Sequence, residues 1–182
     1  DRTKADVYLD SLEKEIEMSL LYTGLAGKTV AQWHLGGGTP NFLDAHQLAR
    51  LSRPYRERFY FSEDAECGAE LDPRGLTREQ LKVLRDAGFN RISVGVQDVD
   101  PEVQKIIHRI QPDEMNRKAV SMIRSEGFDS LNIDLIYGLP AQTEESMNRT
   151  LDAVIDYSPD RLAVYSYAHV PWMRPAQKAL ER

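Results

Sequence analysis

Three consecutive glycines, Gly36–Gly38, follow an apolar run at 29–35 and precede Thr39 and Pro40. Glycine has no side chain, so a ligand can come close to its backbone, at an entropic cost to folding. Glycines placed where an apolar strand ends therefore indicate a turn that contacts a ligand. The spacing is not that of a P-loop or a dinucleotide-binding turn, and no Lys-Ser/Thr pair follows, which argues against a phosphate. The free N–H and C=O groups of the turn suit a small zwitterion instead.

Polar residues stand at or near the ends of four further apolar segments, at Glu70, Gln97, Asp134 and 167–169. Asp134 is the sharpest case, because residues 131–139 are otherwise almost wholly apolar, as expected of a strand buried on both faces. A carboxylate there is costly unless it is paired or binds something. A structural hydrogen bond is the simpler explanation for any one of these residues. Five such positions in step indicate a ligand site.

The elements that would position these residues follow from hydrophobic periodicity. Apolar segments predict strands at 29–35, 65–71, 90–97, 131–139 and 161–168, and helical spacing predicts a helix between each pair and one at 6–22. Strands that alternate with helices indicate an α/β fold with a parallel sheet. Five strands fit either a doubly wound sheet or part of a (β/α) barrel. Both architectures place ligand groups at the carboxyl ends of the strands.

Composition narrows the function classes. The chain has 182 residues, of which 41% are hydrophobic and 29% charged, as in a soluble globular protein with one core. A formal net charge of −6 gives no footprint for nucleic acid, and no apolar run approaches the ~18 residues of a membrane span. The single cysteine, Cys67, excludes an internal disulfide and favours a cytoplasmic location.

Five segments taken together resemble the oxygen-independent coproporphyrinogen III oxidases of haem biosynthesis, which are radical S-adenosylmethionine enzymes. The segments are HLGGGTPNFL (34–43), ELDPR (70–74), NRISVGVQDVDPEVQKIIHRIQ (90–111), NIDLIYGLPAQT (132–143) and PDRLAVYSYAHVPWM (159–173). The resemblance extends over about 4–177, in the order and spacing of the family. It implies part of a radical-SAM-type partial (β/α) TIM barrel, with parallel strands and outer helices.

The resemblance also implies an activity for the intact parent protein. That activity is the oxidative decarboxylation of coproporphyrinogen III to protoporphyrinogen IX by a 5′-deoxyadenosyl radical, with two S-adenosylmethionine molecules per site. A [4Fe–4S] cluster and a reductant for it are implied as well, and a monomer is expected. The alternative is a haem-chaperone relative that binds haem without this turnover. That branch is expected to show Ser after Gln97 and an LGR-x-H pattern, whereas Asp98 follows Gln97 here.

Site residues are carried over only at matching positions. The resemblance implies that Gly37 and Glu70 contact the first S-adenosylmethionine molecule. For the second molecule it implies Gly38, Thr39, Gln97, Arg109, Asp134 and Ala168. Their chemistry agrees, since the planar fork of Arg109 suits a carboxylate, and the carboxylates of Asp134 and Glu70 can accept hydrogen bonds from ribose hydroxyls or an ammonium. No residue is assigned as catalytic.

The cluster-binding motif of the family, C-x3-C-x2-C, has no counterpart among these 182 residues. Cys67 alone cannot replace three thiolate ligands, so no metal ligand is assigned in this chain. We therefore expect residues 1–182 to be a fragment of the catalytic barrel, without the cluster-binding segment and the C-terminal domain, and inactive alone. His34, His46 and His108 show no metal-ligand spacing and are interpreted as structural or solvent-exposed.

Overall fold

Helices and strands alternate along residues 3–25, 27–173 and 177–178, which the computed structural model describes. The strands are β1 (Thr29–Leu35), β2 (Tyr60–Leu71), β3 (Arg91–Gln97), β4 (Ser130–Tyr137) and β5 (Arg161–Ser166). The helices are α1 (Thr3–Thr23), α2 (Ala45–Arg58), α3 (Arg78–Asp86), α4 (Pro101–Ile106), α5 (Asp113–Ser125) and α6 (Glu144–Asp156). A short 3-10 turn at Pro40–Phe42 follows the glycines. All five predicted strands are therefore present.

The sheet decides between the two architectures that the sequence left open. Its strands lie in the order β1-β2-β3-β4-β5, and each neighbouring pair is parallel. A doubly wound sheet reverses its strand order at a switch point, whereas a (β/α) barrel adds each new strand to the same side. The chain therefore forms part of a barrel wall, and the predicted partial (β/α) barrel is confirmed.

The two faces of the sheet differ sharply in character. Alternate residues of β3 and β4 are buried under the helices, namely Ile92, Val94, Val96, Leu131, Ile133 and Leu135. The intervening residues on the opposite face are partly accessible and mostly polar, with Gly95 and Ile136 as exceptions. The expectation that the fourth strand is buried on both faces is wrong, because only one face of this incomplete wall is covered. Asp134 lies on the open face and is half-buried.

Helix boundaries follow the local signals in the sequence. Asp44, Thr77 and Thr143 each cap a helix through a capping box. Gly88 and Gly127, with φ of 89° and 76°, end α3 and α5 in the left-handed conformation that favours glycine. The sequence pattern predicts a helix at 44–52 with Asp44 as its N-cap, but α2 continues past residue 52 and includes the buried Pro54. None of the described helices has the length and apolar character needed to cross a membrane.

Candidate functional site

The carboxyl edge of the sheet brings together six of the eight predicted site residues. They are Gly38, Thr39, Glu70, Gln97, Arg109 and Asp134, and they line one cavity of about 160 Å³ with Leu71, Asp72 and Gly95. These residues come from five separate stretches of the chain, so their convergence is a product of the fold. Ligand pockets hold about 300–1,000 Å³, so this small cavity has room for one end of a ligand rather than for all of it.

A second, larger cavity of about 680 Å³ lies on the other side of the glycine turn. It is bounded by residues of α1, the end of β1 and α2, including Tyr8, Trp33 and Tyr55. Gly37 borders this larger cavity, whereas Gly38 and Thr39 border both cavities. The turn therefore stands between two spaces that a ligand can enter.

The three glycines differ in whether the fold itself requires glycine at their position. A Cβ at Gly36 would lie 2.8 Å from Nε2 of His34 and 3.0 Å from Oε2 of Glu70. Gly37 has a φ of +74°, a conformation that a side chain rarely allows, although no atom crowds the position. At Gly38 nothing lies within 4 Å of a Cβ and the φ is ordinary, so the fold itself does not require glycine there. The space beside Gly38 is thus open to a ligand.

Glu70 is oriented by a histidine on the neighbouring strand. Nε2 of His34 lies 3.0 Å from Oε1 of Glu70, and both side chains are about half exposed. Gly68 makes room for the ring, because a Cβ there would lie 3.1 Å from Nδ1 of His34. Sequence reasoning missed this role for His34. The available signal is the period of two, which places His34 and Gly36 on the same face of β1 and Gly68 and Glu70 on the same face of β2.

Gln97 and Arg109 share a space that Gly95 leaves free. A Cβ at Gly95 would lie 2.7 Å from Nε2 of Gln97 and 3.3 Å from Nη2 of Arg109. Gln97 itself has a φ of 68°, which is uncommon for a residue with a side chain. The pairing of β3 with β4 shifts between Gly95 and Gln97. Strained backbone at a strand end is characteristic of functional sites. Here it occurs where Gln97 and Arg109, two residues predicted to contact a ligand, come together.

Arg109 lies in the loop between α4 and α5 and reaches into the cavity. Its Nη2 donates to the Gly95 carbonyl at 2.9 Å and lies 3.3 Å from Oδ2 of Asp72. Its Nε is buried and has no hydrogen-bond partner among the described residues. Burial lowers the pKa of the Arg109 guanidinium, and the charge of Asp72 opposes that shift. The site therefore presents a half-buried cation with a hydrogen-bond donor to spare.

The loop that carries Arg109 is held by a buried glutamine. The side chain of Gln104 donates from Nε2 to the Asp98 carbonyl at 2.8 Å and to the Gln111 carbonyl at 2.9 Å. Its Oε1 accepts from the Gln111 backbone N–H at 2.9 Å. Three backbone groups of the loop are thus satisfied by one side chain that is 4% exposed. This network fixes both ends of the segment between Gln97 and Arg109.

Asp134 is the anionic counterpart across the cavity. Its Oδ2 accepts from the Ser93 hydroxyl at 2.7 Å and its Oδ1 accepts from Nδ2 of Asn132 at 2.7 Å. Burial raises the pKa of the Asp134 carboxyl, those two hydrogen bonds act to lower it, and the nearby charge of Glu70 adds to the rise. The carboxylate is therefore paired, as the sequence argument required, and it also borders the cavity.

Two predicted features lie elsewhere in the fold. Ala168 follows β5, is exposed, and its carbonyl accepts from Nε2 of Gln177 at 3.0 Å. It does not line the small cavity. Cys67 is 1% exposed in the layer beneath the helices, and burial raises the pKa of its thiol. Within 3–25, 27–173 and 177–178, no three His, Cys, Asp or Glu residues are grouped to hold a metal ion.

The sheet has parallel strands in sequential order, with a glycine turn and a polar cavity at their carboxyl edge. This is the architecture of (β/α)-barrel enzymes, whose sites lie at the carboxyl ends of the strands. Residues 6–154 match the sequence model of the Radical SAM superfamily, and the chain belongs to that superfamily. Membership implies S-adenosylmethionine and a [4Fe–4S] cluster as cofactors.

Two relatives by sequence and one solved structure indicate which member of the superfamily this chain is similar to. The oxygen-independent coproporphyrinogen III oxidase of Helicobacter pylori (strain J99) is 48% identical over 176 residues, which are 96% of this chain and 38% of the relative. The oxidase of the same name from Escherichia coli (strain K12) is 48% identical over 179 residues, which are 98% of this chain and 38% of the relative. The solved structure of coproporphyrinogen III oxidase (HemN) from Escherichia coli superposes with a TM-score of 0.93 at 47% identity, over 98% of this chain and 41% of that chain. This chain thus spans less than half the length of these relatives.

Proposed function

We propose that this chain supplies the S-adenosylmethionine site of an oxygen-independent coproporphyrinogen III oxidase. The observation that carries the proposal is the convergence of distant residues around one cavity. Five of the six residues expected at the second S-adenosylmethionine molecule line the cavity of about 160 Å³, and they are Gly38, Thr39, Gln97, Arg109 and Asp134. The similarity to the oxidases named above supports the same assignment.

The chemistry of the cavity fits the amino-acid and ribose parts of S-adenosylmethionine. The guanidinium of Arg109 has a buried Nε without a partner and suits a carboxylate. The carboxylate of Asp134 borders the cavity and can accept from a hydroxyl or an ammonium. The open space beside Gly38 lets a ligand approach the backbone. Cation, anion and open backbone therefore surround a space suited to a zwitterion.

The glycine turn offers places for two ligand molecules. Gly37 borders the larger cavity, whereas Glu70 lines the small cavity and lies 3.0 Å from His34, which borders the larger one. We assign these two residues to the first S-adenosylmethionine molecule and the small cavity to the second. The family resemblance assigns Ala168 to the second molecule as well, although it lies in the exposed segment after β5 and does not line the small cavity.

S-adenosylmethionine, when bound and reduced by one electron, would release methionine and supply the 5′-deoxyadenosyl radical that starts the oxidative decarboxylation of a substrate propionate. The residues of this chain bind and orient the ligand for that chemistry. The described residues do not fit the [4Fe–4S] cluster, because Cys67 is the sole cysteine of the chain and lies buried beneath the helices. We further propose a cytoplasmic, monomeric enzyme with an external reductant.

Titration of the full-length protein with S-adenosylmethionine, followed by anaerobic turnover of coproporphyrinogen III, tests this function. We expect binding that Arg109→Ala and Asp134→Ala both weaken, and formation of protoporphyrinogen IX by the unmodified protein. Absence of binding by the unmodified protein, or undiminished binding by both variants, would overturn the site assignment. Haem binding without turnover would indicate the haem-chaperone relative instead.

A further inference from the structure

Asp72 is a carboxylate that two arginines share at the edge of the small cavity. Arg74 approaches it with Nε 3.0 Å from Oδ1 and Nη2 2.6 Å from Oδ2, and the Arg74 backbone N–H donates to Oδ1 at 2.8 Å. Nη2 of Arg109 lies 3.3 Å from Oδ2 on the cavity side. The side chain of Asp72 is only 11% exposed. Asp72 thus connects an outer arginine to the arginine that faces the ligand space.

The charge of this triad suits an incoming anion. One carboxylate faces two guanidinium groups, so the group of Asp72, Arg74 and Arg109 carries a net positive charge, opposite the carboxylates of Asp134 and Glu70 on the other side of the cavity. Burial acts to raise the pKa of Asp72, but hydrogen bonds from Arg74 and the charge of Arg109 outweigh it and leave that pKa below its ordinary value. Asp72 therefore stays ionised near neutral pH. With Arg74 engaged in a bidentate contact, Arg109 keeps charge that a ligand carboxylate can neutralise.

The backbone of Asp72 is tied to the glycine turn by a reciprocal pair of hydrogen bonds. Nδ2 of Asn41 donates to the Asp72 carbonyl at 2.8 Å, and the Asp72 N–H donates to Oδ1 of Asn41 at 2.9 Å. Asn41 is buried, and its own carbonyl accepts from Nε2 of Gln80 at 2.9 Å. The carboxylate that contacts Arg109 is therefore held at a fixed place relative to Gly38 and Thr39.

We propose that Asp72 is a positioning residue, which with Arg74 holds the Arg109 guanidinium to receive the carboxylate of S-adenosylmethionine. This inference rests on the proposed function of the cavity. A rotatable Arg109 would lose its contact with Asp72 and keep a single hydrogen bond, to the Gly95 carbonyl. The competing explanation is that Asp72 only fastens the turn between β2 and α3, in which case it has no special relation to the ligand carboxylate.

The two explanations differ in which ligand they affect. S-adenosylmethionine and decarboxylated S-adenosylmethionine share the adenosyl and sulfonium groups, but only the first has the carboxylate. Equilibrium dialysis measures the binding of both ligands to the full-length protein. Two molecules of S-adenosylmethionine are proposed to bind, so the variants are compared on the binding event that Arg109→Met weakens. Asp72→Asn keeps the size of the side chain and leaves the backbone contacts with Asn41 available. Asp86→Asn, at an exposed ion pair with Lys82, is the matched control.

Asp72→Asn removes a charge that repels the ligand carboxylate, but it also removes the ion pair that holds Arg109 in position. On this proposal the loss of position outweighs the gain in charge, so binding of S-adenosylmethionine is expected to weaken roughly tenfold, while binding of the decarboxylated analogue changes less than about twofold. The double variant Asp72→Asn with Arg109→Met should bind no more weakly than Arg109→Met alone, because residues that act through one another are not additive. Equal losses for both ligands, or additive losses in the double variant, would overturn the proposal.

Arg74→Gln keeps the proposal testable should Asp72→Asn unfold, because Arg74 is 39% exposed. Without Arg74, the Asp72 carboxylate pairs with Arg109 alone and neutralises the charge of Arg109. Binding of S-adenosylmethionine should therefore weaken, whereas binding of the decarboxylated analogue should stay unchanged. Unchanged discrimination between the ligands in this variant would contradict the proposal. If the unmodified protein binds neither ligand, the proposed function fails and this inference fails with it. If the unmodified protein binds both ligands, Arg109→Met weakens S-adenosylmethionine binding, and the Asp72 and Arg74 variants bind both ligands as the unmodified protein does, this inference fails while the proposed function stands.

Discussion

Nε2 of His34 lies 3.0 Å from Oε1 of Glu70 across the first two strands of the sheet, directly beneath the glycine turn. No other side chain of the described residues makes a hydrogen bond or an ion pair with this carboxylate. The pair is also the reason that Gly36 has no room for a side chain. The contact between His34 and Glu70 thus connects the glycine turn and the first strand to a residue that is predicted to bind S-adenosylmethionine.

His34→Ala should weaken S-adenosylmethionine binding about threefold to tenfold, because Glu70 loses the group that orients it. The stability should change by no more than about 1 kcal/mol, since exposed ion pairs contribute little. Isothermal titration and thermal unfolding of the full-length protein measure the two quantities. His46→Ala, on the outer helix α2, is the control and should leave binding unchanged. A loss in His34→Ala that simply adds to the loss in Glu70→Ala would show that the two residues act independently.

The three glycines should respond differently to alanine. Gly36→Ala forces the His34–Glu70 pair apart and should weaken both folding and binding. Gly37→Ala places a side chain at a φ of +74° and should cost about 1–2 kcal/mol of stability. Gly38→Ala meets no atom of the protein, so its stability should stay within about 0.5 kcal/mol while its affinity for S-adenosylmethionine falls at least about tenfold.

Thermal unfolding and ligand titration of the same three variants separate these effects. Gly24→Ala is a matched control for Gly37→Ala, since Gly24 has a φ of +64° and lies outside the site. Normal binding by Gly38→Ala would show that no ligand approaches this part of the turn. The assignment of the small cavity would then be wrong.

Much of the fold follows from local sequence signals. Thr77 and Gln80 lie three residues apart before an apolar helical pattern, which predicts a capping box, and the structure forms it. Strand β1 has the predicted bounds of 29–35. The misjudged boundaries are those where tertiary packing overrides local preference. Strand β2 begins at Tyr60 rather than 65, in a stretch rich in acidic residues, and α2 continues through the buried Pro54.

The sequence names the residues of the candidate site one by one, but it does not predict the contacts among them. Glu70 and Asp134 were named from their positions at strand ends and from the family resemblance. The partners that hold Glu70 and Arg109 in place, which are His34 and Asp72, come from contacts between segments 36 or 37 residues apart in the chain. Such contacts depend on strand register and loop course, which no local pattern specifies.

Gln104→Ala should destabilise the protein by about 3 kcal/mol, because three buried backbone groups of the 98–111 segment lose their partner. Binding of S-adenosylmethionine should weaken as well, since the loop that carries Arg109 is no longer fixed. Denaturant unfolding and ligand titration measure these changes. Lys105→Ala, an exposed neighbour on α4, should change neither. A Gln104→Ala protein of normal stability would mean that water replaces the glutamine at no cost.

Asp134→Asn should bind S-adenosylmethionine about tenfold more weakly and yet unfold at a higher temperature at neutral pH. Burial raises the pKa of Asp134 above the ordinary aspartate pKa of about 3.9, so at pH values above the raised pKa the folded state carries a charge that the unfolded chain solvates better. As the pH falls through the raised pKa, the carboxyl takes up a proton, the penalty disappears and the stability gap between variant and wild type should close. Thermal unfolding between about pH 4 and pH 8 follows the gap, with Asp152→Asn on the exposed face of α6 as the control. A variant that is less stable than wild type at every pH would show instead that the hydrogen bonds from Ser93 and Asn132 outweigh the cost of burying the charge.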